Sequence, residues 1–227
     1  MGSGFFQDRA DEDNLETRNE VFWAAMIDQI ARDGFQGTPH RVLDIGCHRG
    51  GLLARIAKRW KPAEIIGIEP LEEARSCARF RLNTLARSIV LLHPDDWHRI
   101  PDRSVDLVVS HEVLFLLPDL DAFVGQVARV LSASGRAFIA AGCHAENPIW
   151  PAWRPHLEAM GHRTFNHEPI ALMAAAARHG LLPSVRPLRD HGWATHDPTS
   201  GTFVFRTVGE LLDHQFRQKL LFRLVRN

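Results

Sequence analysis

Residues 42–51 read VLDIGCHRGG, and Asp44, Gly46 and Gly50 fall where a strand would pass through a tight turn into a helix. Glycine in such a turn lets the backbone approach a ligand closely and take φ > 0. The helix beginning near Gly50 points its unpaired N–H groups at the same place. Glu69 ends a second apolar run, EIIGIE, 23 residues after Gly46. An ionised carboxylate there can accept from two hydroxyls at once. The pair therefore suits a cofactor that carries a ribose. His48 interrupts the turn, but histidine is among the non-glycine residues that tolerate φ > 0. Its ring would then project toward the cofactor or into solvent.

The elements that must hold these residues can be read from periodicity. Residues 14–33 carry Val21, Phe22, Ala25, Met26 and Ile30 on one helical face, ending at Gly34 and Gly37. That helix either caps the cofactor through Phe22 and Trp23 or serves core packing alone. Apolar runs at 41–45, 64–69, 88–92, 105–110 and 136–141 alternate with helical patterns at 52–60, 71–86 and 120–131. Strict β-α alternation argues for an α/β, doubly wound, parallel sheet. SASG at 132–135 is expected to turn the chain into the fifth strand. Residues 142–167, rich in proline and tryptophan, are expected to form a long loop or lid-like insert. A helix at 170–179, a strand at 183–189, a helix at 208–217 and a strand at 219–226 complete the expectation.

Two kinds of cofactor turn compete. A nicotinamide site wants G-x-G-x-x-G, and G-C-H-R-G-G does not match it. The related turn of short-chain dehydrogenases comes with a catalytic tyrosine, and this chain has no tyrosine. The string from Val42 through Asp44, Gly46 and Gly50 instead resembles motif I, D-x-G-x-G-x-G, of class I S-adenosylmethionine (SAM) methyltransferases. DDWHRIPDRSVDLV and SHEVLFLLPDLDAFVGQVARVLSASGRAFIA resemble two later segments of the same family, so the likeness covers residues 40–141 in order. It implies a three-layer, Rossmann-like, mostly parallel seven-stranded sheet whose last strand is antiparallel. It implies SAM as cofactor and S-adenosylhomocysteine as product. It also implies that Asp44, Gly46, Cys47, His48 and Gly50 form the cofactor turn and that Glu69 holds the ribose. Asp96 and the backbone of Trp97 then serve the adenine. His111, placed after the fourth strand, is read as a structural or cofactor contact, with a base as the alternative.

Methyl transfer is an in-line displacement that gains most from positioning the acceptor. A carboxylate, thiolate or phosphonate acceptor needs no base, whereas an alcohol or ammonium does. His144, after the fifth strand, is the candidate base. Trp150, Trp153 and Arg154 are the candidate acceptor contacts, the tryptophans by packing and the arginine by gripping an acid. His93, His98, His191 and His196 lack the carboxylate or thiolate partners of a metal site, so no metal is expected.

The chain has 227 residues, 45% of them apolar, 24% charged, with zero formal net charge. That balance suits one domain acting on a small molecule, with no field drawing it to nucleic acid or membrane. The expected layout is a helical cap at 1–36 and a SAM-binding domain at 37–227. Cys47, Cys77 and Cys143 form no CxxC pair, which suits a reduced, cytoplasmic setting. The opening MGSG is set aside. A monomer or homodimer is expected. The expected activity is methyl transfer to an O or N centre of a small, possibly acidic molecule. The alternatives are a SAM-consuming cyclase or lyase releasing methylthioadenosine, and a non-catalytic SAM-binding regulator.

Overall fold

A computed structural model describes residues 5–6, 9–33, 37–196 and 202–227. Five strands run parallel: β1 (Arg41–Ile45), β2 (Glu64–Ile68), β3 (Ser88–Leu92), β4 (Val105–His111) and β5 (Leu131–Ala141). β7 (Leu220–Arg226) pairs antiparallel with both β5 and β6 (Leu181–Pro187), so β6 runs in the same direction as the first five strands. The order across the sheet is β3-β2-β1-β4-β5-β7-β6. This is the seven-stranded, doubly wound arrangement expected. The chain crosses from one half of the sheet to the other between β1 and β4, and ligands bind at the carboxyl ends of the strands beside such a switch point.

Alternation along the strands divides the core in two. Leu43, Ile45, Ile66, Ile68, Val108 and Ile139 face one side. There they meet α4 (Leu120–Val130) through Phe123, Val124 and Val127, and α6 (Pro169–Arg178) through Leu172, Ala175 and Ala176. Val42, Ile65, Leu107, Val109, Phe138 and Ala140 face the other. They meet α1 (Arg9–Arg32), α2 (Gly51–Trp60) and α3 (Glu72–Leu82) through Phe22, Met26, Ile30, Leu53, Ile56 and Leu82. Strands buried on both faces read as continuous apolar runs, which is why VDLVVS was legible. The expected break at Gly34 lies outside the described residues.

Three expectations change. The 142–167 stretch carries helix α5 (Trp150–Ala159) rather than loop alone. Pro151 sits in its first turn, where a missing N–H costs nothing. Trp150, Trp153 and Leu157 are buried on one face at spacings of three and four, so packing outweighs the interior Pro155. SASG does not turn the chain into β5, because β5 already begins at Leu131. Val105 pairs with Leu131 and Leu107 with Arg136, so residues 132–135 bulge out of register. A Cβ on Gly135 would come within 2.7 Å of the Val105 carbonyl oxygen, so only glycine closes the bulge. Finally, the helix expected at 208–217 is α7 (Val208–Asp213) followed by a π-type turn, His214–Gln218. That turn delivers Lys219 to the carboxyl end of the sheet. Among the described residues, no helix is long and apolar enough to cross a membrane.

Candidate functional site

The turn after β1 carries three left-handed residues: Gly46 (φ 78°), His48 (φ 47°) and Gly50 (φ 76°). The N–H groups of Gly46 and Cys47 donate to the Ile68 carbonyl at 2.8 and 3.0 Å, binding the turn to the end of β2. A Cβ on Gly46 would collide with the Cγ2 methyl of Val113. Glu69 continues from β2 and is buried. Its Oε2 accepts from the His48 N–H and its Oε1 from the Leu71 N–H, both at 3.0 Å. Burial pushes the Glu69 pKa up, against these donors and the nearby His48 and Arg75. Below the turn, burial and then the Glu69 charge raise the Asp44 pKa to about 8. Asp44 is therefore protonated at neutral pH.

Helix α1 covers this turn. Glu12, Asp13, Glu16 and Glu20 recur at helical spacing and so share one face. They meet His48 (2.7 Å), Arg49 (3.0 Å), Arg81 (2.7 Å) and Arg55 (2.6 Å) respectively. The His48 ring binds the buried Glu12, a contact not weighed from the sequence. The Phe6 N–H also donates to Glu12, at 2.9 Å. The Trp23 ring lies where a Cβ on Gly51 would come within 2.5 Å of it.

A second polar group gathers at the ends of β4, β5 and β7. Glu112, left-handed at φ 55°, turns back after β4. Its carboxylate accepts from the Gly142 N–H at 2.8 Å and from Lys219 Nζ at 2.5 Å. The ammonium also sits 4.0 Å from the centroid of the Phe22 ring. Burial opposes ionisation of Glu112, but Lys219 holds its pKa at about 2. His111 and His214 flank the pair. Burial first, and then Lys219, lower both to about 3, so both are neutral. Among the described residues His111 Nε2 is buried and has no hydrogen-bond partner. Asn147 Nδ2 donates to the Gly142 carbonyl at 2.6 Å and meets His214 Nδ1 at 3.1 Å.

One cavity of about 1230 Å³ joins the two groups. Asp44, Gly46, Cys47, His48, Glu69, Trp97 and His111 line it, as does Trp153. The Cys47 thiol packs down on Gly67, where a Cβ would approach its Sγ to 2.6 Å. Gly50 closes the turn from behind, where a Cβ would lie 3.1 Å from that of Ala78. Asp96 sits beside Trp97 in a 3₁₀ turn, Pro94–Arg99, outside the lining. His144 also lies outside it and donates from Nε2 to the Gln218 carbonyl at 2.7 Å. Trp150 is buried against Phe115. Arg154 binds Glu158 and Thr164 at 2.7 and 2.9 Å. Trp153 alone of the three candidate acceptor contacts borders the cavity, its indole N–H donating to the Val204 carbonyl at 3.0 Å.

Sequence reasoning missed Glu112, Lys219 and His214. Glu112 stands inside the segment SHEVL that carried the family likeness. Lys219 is one of three lysines in the chain, the others being Lys58 and Lys61, and a lone lysine beside an apolar strand was the available signal. Among the described residues, no three His, Cys, Asp or Glu side chains gather where a metal could bind.

The residues present fit an adenosyl cofactor. At Gly46 no side chain stands between backbone and cleft, and Glu69 keeps unshared lone pairs for a diol. Residues 38–176 match the family described as "Methyltransferase domain". A fatty-acid O-methyltransferase of Mycolicibacterium smegmatis is 33% identical over 95 residues, 42% of this chain and 34% of that protein. A trans-aconitate 2-methyltransferase of Methylobacterium radiotolerans is 33% identical over 97 residues, 43% of this chain and 36% of that protein. The matches thus span about a third of either relative's length. One chain in the complex between the Haloferax volcanii Trm112 methyltransferase activator and a methyltransferase superposes with a TM-score of 0.73 at 20% identity, covering 97% of this chain and 98% of that one. The architecture, the glycine turn with its acid, and the match over residues 38–176 agree: the chain belongs to the methyltransferase-domain family, on the class I fold that takes S-adenosylmethionine as its cofactor.

Proposed function

We propose that this protein transfers the methyl group of SAM to an oxygen of a small, ionised acid. One observation carries the reading. The cavity of about 1230 Å³ exceeds the ~300–1,000 Å³ of an ordinary single-ligand pocket, and it runs on past the cofactor turn to a separate buried polar group. A cyclase or lyase consuming SAM alone needs no such second chamber.

The cofactor supplies an electrophilic methyl on a sulfonium. Glu69 accepts from the ribose hydroxyls, and the turn at Gly46 and Gly50 lets the backbone approach. The adenine end is assigned to the turn at Trp97, with Asp96 beside it as acceptor for the adenine amine. Among Glu112, His111 and His214 there is no strong base. His111 and His214 hold their protons only near pH 3, and Glu112 near pH 2. Proton transfer is efficient only when the base has a pKa near the working pH. An acceptor already ionised, such as a carboxylate, removes the need. His144, the candidate base from sequence, is then a positioning residue that holds the turn before Lys219 through Gln218. Both relatives are named for acceptors that are carboxylic acids, which supports the same class.

The test is to incubate the purified protein with SAM, alone and with a panel of carboxylic acids, and to separate the products. A methyl ester and S-adenosylhomocysteine appearing only when an acid is present supports the reading. Methylthioadenosine formed from SAM alone overturns it.

A further inference from the structure

Resting on that reading, we infer that Lys219 Nζ and His111 Nε2 form the anchor for the acceptor's carboxylate, and that the chamber beyond them selects acids with one carboxylate and an extended apolar body.

Lys219 is buried, yet it lines the cavity. Its ammonium carries three N–H groups. Glu112 takes one at 2.5 Å, and the Phe22 ring covers another side at 4.0 Å. Donor capacity remains. His111 supplies the independent observation. It also lines the cavity, it is 9% exposed, and its Nε2 has no partner among the described residues. A buried polar atom without a partner is costly, so a ligand atom is the natural complement. Phe22 stacks on the His111 ring at 6.2 Å and Trp23 meets it edge-on at 6.3 Å. Helix α1 thus holds the ring in place. With its single proton on Nε2, a neutral imidazole has a donor to offer a ligand atom that reaches it.

The sign of the local field agrees with an anion. At both His111 and His214 the Lys219 charge acts more strongly than the opposing Glu112 charge. At both rings the nearby cation thus outweighs the nearby anion, although the ion pair itself sums to zero. The Asn147 amide meets His214 Nδ1, which leaves that ring's proton on Nε2 as a further donor bordering the same chamber.

Beyond the anchor much of the wall is aromatic. Phe115, Trp153, Phe203 and Phe205 border the cavity. The arginines bordering it, Arg18, Arg49, Arg55 and Arg81, are engaged by acids of α1. One carboxylate is therefore matched by a cation and a donor. A second or third carboxylate would meet aromatic surface and lose its hydration without compensation.

The experiment is calorimetric titration of the S-adenosylhomocysteine-loaded protein with decanoate, decanol and citrate, for wild type and for His111→Ala and Lys219→Gln. Because Lys219→Gln unpairs Glu112, a Glu112→Gln/Lys219→Gln pair is included. Decanoate is expected to bind the wild type, and about ten- to a hundredfold more weakly to each variant, in line with charged hydrogen bonds. S-adenosylhomocysteine affinity is expected to stay within about twofold in Lys219→Gln and in the double variant. Decanol and citrate are expected to bind at least about tenfold more weakly than decanoate. Decanoate affinity unchanged in His111→Ala and in the double variant overturns the anchor, as does equal affinity for decanol or citrate. The functional reading fails separately: decanoate that binds through the anchor yet gives no methyl ester with any acid-loaded enzyme defeats the transfer and leaves the anchor standing.

Discussion

The Nε2 atom of His48 lies 2.7 Å from Oε1 of Glu12, so the residue that breaks the glycine pattern of the cofactor turn is the one that ties α1 over it. His48 also donates its backbone N–H to Glu69. One residue therefore joins the covering helix, the turn and the acid assigned to the ribose. Burial would raise the Glu12 pKa, but bonds from His48 and the Phe6 N–H, with the Arg49 charge, outweigh it and hold the carboxyl below its ordinary value.

Removing this contact should loosen the cover over the cofactor. Glu12→Gln is expected to cost about 1.5–3 kcal/mol of stability at pH 7, the range of a hydrogen bond to a charged group. The depressed pKa means that the contribution is present above the unfolded carboxyl value and is lost as pH falls through the folded one. The gap between wild type and variant should therefore shrink below about pH 4.5, as read by urea unfolding across pH. Arg55→Gln, which breaks the exposed pair with Glu20, should cost less than about 1 kcal/mol.

Asp44 carries the opposite sign. Its folded pKa is raised to about 8, so the folded state keeps a proton that the unfolded chain has released. Stability should fall as pH rises from the unfolded carboxyl value toward pH 8. Asp44→Asn mimics the protonated form and should flatten that decline. Between pH 5 and pH 8 the variant should gain on wild type by at most about 4 kcal/mol, at ~1.4 kcal/mol per pH unit. A pH series of denaturant midpoints reads it.

At Gly46 both the positive φ and the contact with Val113 exclude a side chain. Gly46→Ala is expected to lose at least about 2 kcal/mol, with 1–2 kcal/mol of that from the left-handed backbone alone. Adding Val113→Ala should recover the steric part and leave the backbone part. Thermal melts of the single and double variants separate the two.

The Glu112–Lys219 pair offers a check that does not depend on activity. Breaking one side of a buried pair leaves an uncompensated charge and costs about 3–5 kcal/mol. Lys219→Gln should therefore destabilise strongly. Glu112→Gln/Lys219→Gln should recover much of that loss, because neither charge is left buried alone. Chemical denaturation of the three proteins at pH 7 gives the comparison.

Local pattern determined the sheet, the helices that flank it, and the turn at Gly46 with Glu69 at the next strand end. These follow from hydrophobic period and from glycine's access to φ > 0, and both are properties of a few adjacent residues. The same logic misjudged residues 150–159, because proline count outweighed the buried face made by Trp150, Trp153 and Leu157. It also read 132–135 as a turn, because a bulge in register with a neighbouring strand cannot be seen in one strand's sequence.

The buried polar group at the ends of β4, β5 and β7 was decided only by the tertiary structure. Glu112 follows β4 and Lys219 precedes β7, and they meet because β7 runs antiparallel beside β5, pairing Leu220 with Ala141. No spacing in the chain encodes that meeting. His48 shows the same division: its type and place in the turn were plain, but its partner Glu12 comes from a helix that packs across the cleft. Sequence determines which backbone conformations and which apolar faces are available. Which charges end up buried against one another depends on the order in which the strands assemble, and that is a property of the folded whole.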